Sequence, residues 1–69
     1  MSAADIEYDA IMRSRTELLM AQQAGTVAAV RFAVDESWRI LAEVAILPGT
    51  DQRTLRHLMD KIDAIGATL

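Results

Sequence analysis

The stretch TVAAVRFAVDESWRILAEVAIL, residues 26–47, decides the fold of this chain. Charges of alternating sign occur in it at four-residue spacing: Arg31, Asp35, Arg39 and Glu43. At about 100° per residue these charges fall on one ridge of a helix. Apolar side chains cover most of the remaining circumference, which is more than one packing face requires. We therefore predict a central helix here and, since a chain of 69 residues has few other elements to cover it, a homodimer built around it.

Two alternatives compete with this central helix. Val, Ile, Phe and Trp favour strands, so residues 27–34 and 38–47 could form a β-hairpin. The segment lacks an Asn-Gly or Asp-Gly turn, however, and a four-residue charge period has no purpose in a strand. The other alternative is one continuous helix through Gly25, because a single interior glycine costs only about 1 kcal/mol relative to alanine. We favour two separate helices.

A capping pattern at the N-terminus predicts the first helix. Ser2 followed three residues later by Asp5 matches a capping box, in which each side chain accepts from the other's backbone N–H. An apolar face continues from there to about residue 23. Gly25 and Thr26 suit the end of this helix and the N-cap of the central one. The short connection indicates that the two helices pack antiparallel as a hairpin.

A Pro-Gly pair separates the central helix from a third one. Pro48 disfavours the α conformation at residue 47, and Gly49 permits a turn. Thr50 or Asp51 then caps a helix whose apolar residues recur at helical spacing. Its charged side chains face away from that apolar stripe: Arg53, Arg56, His57, Asp60 and Asp63. The predicted fold is all-α, a helical hairpin followed by a C-terminal amphipathic helix.

The core is expected to combine apolar residues of the central and third helices. These residues are Val30, Val34, Leu41, Val44, Leu55, Leu58, Ile62 and Ile65. The wide apolar arc of the central helix divides into two stripes. One contains Val27, Val30, Val34 and Leu41, and the other contains Ala33, Ile40, Val44 and Leu47. We expect one stripe to pack on the first and third helices and the other across the two-fold axis of the homodimer.

The composition limits the kind of protein this can be. The 69 residues have room for one helical domain, residues 1–69, and a domain this small buries only about 60% of its unfolded surface. The chain has no cysteine and one histidine, so we expect neither disulfides nor a metal site to stabilise it. A partner chain is the remaining source of stabilisation. A net charge of −3 disfavours nucleic acid and anionic membranes as partners. The lack of cysteine and the acidic start without a signal peptide favour a cytoplasmic location.

No residues of the chain suggest catalysis. A nucleophile needs a base within reach, and the only imidazole, that of His57, lies on the predicted solvent face. Neighbouring carboxylates such as Asp35 and Glu36 diverge by about 100° on a helix, so they do not share a proton or a metal. Phosphate-binding and zinc-protease motifs are absent. We therefore expect no enzyme activity, no metal, no cofactor and, because of the charges in residues 26–47, no membrane span.

Arg15 interrupts the apolar face of the first helix, between Ile11 and Leu19. A buried guanidinium needs a carboxylate or several carbonyl groups as partners. Either the aliphatic stem of Arg15 packs while its head reaches water, or the head pairs with an acid on another helix or on the sister chain.

Protein binding is the remaining class of function, and Trp38 marks the candidate site. It lies where the apolar arc of the central helix meets the charged ridge, and interface hot spots are enriched in Trp, Tyr and Arg. The candidate partner-binding residues are Trp38, Arg39, Arg31, Asp35 and Tyr8. A purely structural interpretation competes with this one. In it, Trp38 packs on the first helix, Arg39 pairs with Asp35 and Glu43, and Tyr8 belongs to the contact within the hairpin.

Two stretches, residues 1–8 (MSAADIEY) and residues 32–41 (FAVDESWRIL), carry a resemblance to a known family over the three-helix layout. The chain resembles the small quorum-sensing anti-activators encoded by phages of Pseudomonas. The resemblance implies an inhibitory binding protein in the cytoplasm of the infected host, with two kinds of target. One is a LuxR-type transcriptional regulator, blocked at its DNA-binding domain, and the other is the ATPase that drives type IV pilus assembly. The alternative is a helical structural or assembly subunit of a phage or secretion complex.

Overall fold

In the computed structural model, the chain forms three α-helices joined by two turns. The structure describes residues 2–69; Met1, the first residue of the N-terminal stretch quoted above, lies outside them. The helices are α1, Ala3–Ala24, α2, Val27–Ala45, and α3, Gln52–Ala67. The described residues contain no strand, so the predicted all-α class and helix order are confirmed and the β-hairpin alternative is excluded.

Local capping signals set the ends of α1 and the start of α2. The Asp5 N–H donates to Ser2 Oγ at 3.2 Å and the Ser2 N–H donates to the Asp5 carboxylate at 3.3 Å, which is the predicted capping box. Gly25 ends α1 with a φ of 72°, a left-handed conformation that favours glycine. Thr26 caps α2, its hydroxyl accepting from the Ala29 N–H at 3.1 Å. The helical hairpin is confirmed, and one continuous helix is excluded.

The turn between α2 and α3 begins earlier than the sequence predicts. The helix α2 ends at Ala45 rather than at residue 47. Gly49 lies in the turn with a φ of 84°. Of the two candidate caps for α3, the structure uses Asp51, whose carboxylate accepts from the Thr54 N–H at 3.1 Å.

The start of α1 contacts this turn. Glu7 Oε1 accepts a hydrogen bond from the Asp51 N–H at 2.9 Å. A Cβ added at Gly49 would lie 3.1 Å from the Cβ of Ala3, so the turn passes close against the first residue of α1. These contacts fix where α3 begins relative to α1.

The helix α2 is central in the fold, because α1 and α3 both pack on it. No Cα atom of α1 lies within 8 Å of a Cα atom of α3. Helices that pack directly have axes only about 8–10 Å apart and bring their backbones closer than this. The backbones of α1 and α3 are therefore separated from each other, and both lie against α2.

The core lies where α1 and α3 cover α2. Leu41 and Leu55 are completely buried, with 0% exposure. Val34, Val44 and Ile62 are also buried, Val30 and Leu58 are partly buried, and Ile65 is 39% exposed. Burial of a whole aliphatic side chain contributes about 1.5–3 kcal/mol, so these few residues supply much of the driving force for folding.

The expected division of α2 into an inner and an outer stripe is wrong. Val34 and Leu41 of one stripe and Ala33 and Val44 of the other are all buried by the chain's own helices. Val27 of the first stripe and Leu47 of the second remain 55% and 37% exposed, so each stripe is partly covered within one chain and partly accessible.

Small side chains bring α1 and α2 into close contact. The buried residues of this small-residue seam are Ala10, Ser14 and Ala21 of α1 and Ala33 and Ser37 of α2. Ser37 Oγ donates to the Ser14 carbonyl oxygen at 3.0 Å, and Ser14 Oγ donates to the Ile11 carbonyl oxygen at 2.9 Å. Both buried hydroxyls are thus hydrogen-bonded, as burial requires.

Candidate functional site

Trp38 lies at the edge where α2 meets α3, and it is 40% exposed. Together with α3 it lines a hollow of about 230 Å³. The other lining residues are Ala45, Gln52, Arg56, Met59, Asp60 and Asp63. Trp38 therefore faces α3, and the interpretation in which it packs on the first helix is wrong.

The helix α3 contributes an acidic wall to this hollow. Arg56, Asp60 and Asp63 are four and three residues apart, so they share one side of α3, and all three are exposed. Two carboxylates outnumber one guanidinium, which leaves the hollow negative beside the indole of Trp38. Helical periodicity predicts that these residues are exposed. Their position beside Trp38 depends on how α3 packs on α2, which no local pattern encodes.

Arg39 forms an ion pair with a residue outside the predicted ridge. Its Nη2 donates to both carboxylate oxygens of Glu36, at 2.8 and 2.7 Å. The hydrogen bond with Glu36 raises the pKa of the Arg39 guanidinium. The predicted pairing with Asp35 and Glu43 is wrong, because a spacing of three residues also brings side chains within reach on a helix. The Arg39 side chain remains 64% exposed, so its other nitrogens can reach a partner.

Arg31 and Asp35 extend this surface along α2. Both are exposed, and neither belongs to an ion pair among residues 2–69. Their spacing relative to Trp38 and Arg39 places all four on one side of α2. We call the surface formed by Arg31, Asp35, Trp38 and Arg39 of α2 with Asp60 and Asp63 of α3 the Trp38 face.

Tyr8, the fifth candidate residue, does not belong to the Trp38 face. It is 67% exposed on α1, so the predicted contact within the hairpin is wrong. Tyr8 lies two helical turns before Arg15, on the same side of α1.

Arg15 lines the space between α1 and α3. Its side chain is exposed and has no carboxylate partner among the described residues, so its guanidinium reaches water in the single chain.

A separate apolar group is exposed where α1 and α2 meet at the edge of the hairpin. Met20 and Phe32 are each 62% exposed and line one shallow hollow. None of the residues that line this hollow belongs to α3 or to the Trp38 face. Burial of such large apolar side chains against a second surface is favourable, because it removes them from water.

Searches of protein-family models, curated proteins and solved structures find no match to this chain. Within residues 2–69, no helix combines the length and the apolar character that crossing a bilayer requires. The same residues bring no group of three potential His, Cys, Asp or Glu ligands together for a metal ion. The candidate site is thus defined by its own geometry, a half-exposed indole flanked by carboxylates and an accessible guanidinium.

Proposed function

We propose that this protein is a phage-encoded inhibitory binding protein that captures a host LuxR-type quorum-sensing regulator and blocks its DNA binding. The observation that carries the proposal is the half-exposed Trp38 beside Asp60 and Asp63. An indole offers the large apolar contact that is typical of binding hot spots. The two carboxylates beside it outnumber the one guanidinium of Arg56, and this negative excess favours a partner whose surface is basic. The resemblance of residues 1–8 and 32–41 supplies the class of target.

The proposed mechanism is competition for the DNA-binding surface of the regulator. LuxR-type regulators bind DNA through a helix-turn-helix domain, which uses Lys and Arg to neutralise phosphates. Asp60 and Asp63 offer those cations an alternative partner while Trp38 packs between them. The net charge of −3 speeds the encounter with a basic surface and repels DNA from the complex. No catalysis is needed, and we propose that the protein is not an enzyme.

Three further features belong to the same proposal. The protein acts in the cytoplasm of the infected cell, where the regulator meets its promoters. It forms a homodimer in which a second copy covers Met20 and Phe32, the apolar pair left exposed at the edge of the hairpin. The type IV pilus assembly ATPase is its second target.

A promoter-displacement assay tests the proposal. A fluorescently labelled promoter duplex bound to the purified regulator is titrated with the protein, and the loss of anisotropy gives the concentration for half-inhibition. The wild-type protein should release the duplex. Trp38→Ala should raise that concentration roughly 30-fold, because a hot-spot residue contributes about 2 kcal/mol or more. The matched control is Ile46→Ala, since Ile46 is 83% exposed and lies outside both the Trp38 face and the hollow lined by Met20 and Phe32.

A charge variant separates recognition from folding. Asp60→Asn with Asp63→Asn removes two exposed carboxylates without changing their size, so helix content should stay the same in circular dichroism. Inhibition by this variant should weaken and become less sensitive to salt. Promoter binding that is unchanged at large excess of wild-type protein contradicts the proposed target. Full inhibition by Trp38→Ala contradicts the proposed site, and assembly that grows with concentration beyond a dimer supports the structural-subunit alternative.

A further inference from the structure

An apolar groove lies between α1 and α3, with Leu41 of α2 in its lining. The groove has a volume of about 440 Å³. Its apolar lining includes Ile11, Leu18 and Leu19 of α1, Leu41 of α2, and Leu58 and Ile65 of α3. Leu19 and Ile65 are 49% and 39% exposed, so the chain itself does not fill the groove. None of the residues that line it lines the Trp38 hollow.

The dimensions of the groove suit a helix. Along α1 the lining residues run from Ile11 to Gln22, which at 1.5 Å per residue corresponds to about 16 Å, or three helical turns. Two helices whose backbones are separated, both packed on a third, leave between them a position like that of a further helix in a bundle. Such a helix would present apolar residues at three- and four-residue spacing to the groove.

The charges of the groove are all positive. Arg15 of α1 and Lys61 of α3 belong to its lining, which contains no Asp or Glu. Both side chains are exposed, and neither forms an ion pair with a carboxylate among the described residues. In a chain whose net charge is −3, this is a local basic site framed by apolar side chains. A ligand complementary to it has an apolar seam flanked by carboxylates.

We propose that the groove between α1 and α3 binds one amphipathic helix of a partner protein, with carboxylates on both sides of its apolar seam. The apolar seam packs on Leu19, Leu58 and Ile65, and the carboxylates pair with Arg15 and Lys61. This surface is distinct from the Trp38 face, so the inference does not depend on the proposed capture of a regulator.

Charge argues against a second copy of this chain as the occupant. A two-fold contact centred on the groove places the same surface on both sides, so Arg15 and Lys61 of one copy face those of the other. Like charges brought together in an apolar interface are unfavourable. A partner helix with carboxylates removes this repulsion and supplies the ion pairs that the chain lacks.

Two matched peptides test the proposal. Both are fluorescein-labelled, helix-forming peptides of four turns with leucines at alternating three- and four-residue spacing; one has Glu flanking the seam and the other has Lys. Fluorescence anisotropy measures their binding to the full chain. The Glu peptide should bind roughly tenfold more tightly than the Lys peptide, as two ion pairs of moderate strength predict. Arg15→Glu with Lys61→Glu should reverse that preference.

Control variants separate this groove from the rest of the surface. Leu19→Gln should weaken both peptides, whereas Ile46→Gln, which changes an even more exposed apolar residue outside the groove, should leave both unchanged. Trp38→Ala should also retain the Glu peptide, which distinguishes a failure here from a failure of the proposed function. Circular dichroism confirms that each variant folds.

Three results would overturn the inference. One is that neither peptide binds, and another is that the preference for Glu is absent or survives the double charge reversal. The third is a wild-type dimer in sedimentation equilibrium that becomes a monomer in Leu19→Gln, because the groove is then covered by a second copy.

Discussion

Replacing Ser37 with valine probes the close contact between α1 and α2. Ser37 is completely buried in the small-residue seam, and its hydroxyl donates to the Ser14 carbonyl oxygen at 3.0 Å. Valine has no donor, and it adds a branched side chain at a completely buried position whose hydroxyl already contacts the α1 backbone. Ser37→Ala removes the same hydrogen bond without adding volume. The difference between the two variants therefore separates the effect of the larger, branched side chain from the loss of the hydrogen bond.

The magnitudes follow from the contacts of Ser37. In Ser37→Ala the Ser14 carbonyl keeps its place in the hydrogen-bond pattern of α1, so no buried acceptor is left unsatisfied. The loss of one neutral hydrogen bond then costs about 1 kcal/mol, part of which the higher helix propensity of alanine offsets. Ser37→Val adds about 1–3 kcal/mol for overpacking, which gives a total of about 2–4 kcal/mol.

Urea unfolding followed by far-UV circular dichroism measures these differences, at one fixed protein concentration because self-association would shift the midpoint. For a domain of this size, the total for Ser37→Val corresponds to a Tm lowered by about 10–25 °C. Thr16→Val is the control, since the exposed Thr16 hydroxyl also donates to a backbone carbonyl, that of Met12, at 2.9 Å. Its effect should stay within about 0.5 kcal/mol. If Ser37→Val proves as stable as Ser37→Ala, the two helices are not in the close contact described.

Two further predictions concern the turns and pH. Gly25→Ala should cost about 1 kcal/mol in urea unfolding, because its φ is positive but a Cβ there meets nothing within 4 Å. Gly49→Ala should cost more, about 2 kcal/mol, because its added Cβ also presses on Ala3; equal losses would contradict the close approach of the turn. Hydrogen bonds from Thr54 hold the pKa of the Asp51 carboxyl below its usual range, so its stabilising effect is present at neutral pH and is lost as the pH falls through the folded-state pKa. Asp51→Asn should therefore be less stable than wild type at neutral pH, and the difference in Tm should shrink below about pH 4; a difference independent of pH would contradict this role.

Features that depend on neighbouring residues in the chain could be predicted from the sequence. The capping box at Ser2, the left-handed Gly25 and the cap at Thr26 follow from residue types at fixed spacing, and the structure has all three. The buried apolar stripe of α3 could be predicted in the same way, because Leu55 and Ile62 recur at helical spacing, and both are buried. Local signals of this kind act through backbone geometry within one or two turns.

Features that depend on contacts between helices could not be predicted in the same way. Ser37 follows two acids in the chain, so the sequence predicts that it is exposed. Its burial depends on the close approach of α1, which the local sequence does not indicate. Trp38 lies at a boundary of the apolar arc, and only the position of α3 decides that it faces Asp60 and Asp63. Arg39 has acids at both helical spacings, and side-chain geometry selects Glu36. The sequence thus predicted the α2 residues of the Trp38 face as partner-binding residues, but it did not predict that α3 residues join them.

The packing of α3 on α2 has a consequence for the order in which the helices unfold. Since α1 and α3 share no close backbone contact, α3 can detach as a unit while α1 and α2 keep their seam. Amide protons of α3 should accordingly exchange with solvent before those of the hairpin. Trp38, the sole tryptophan, borders α3, so its fluorescence reports this partial opening before most helical signal is lost.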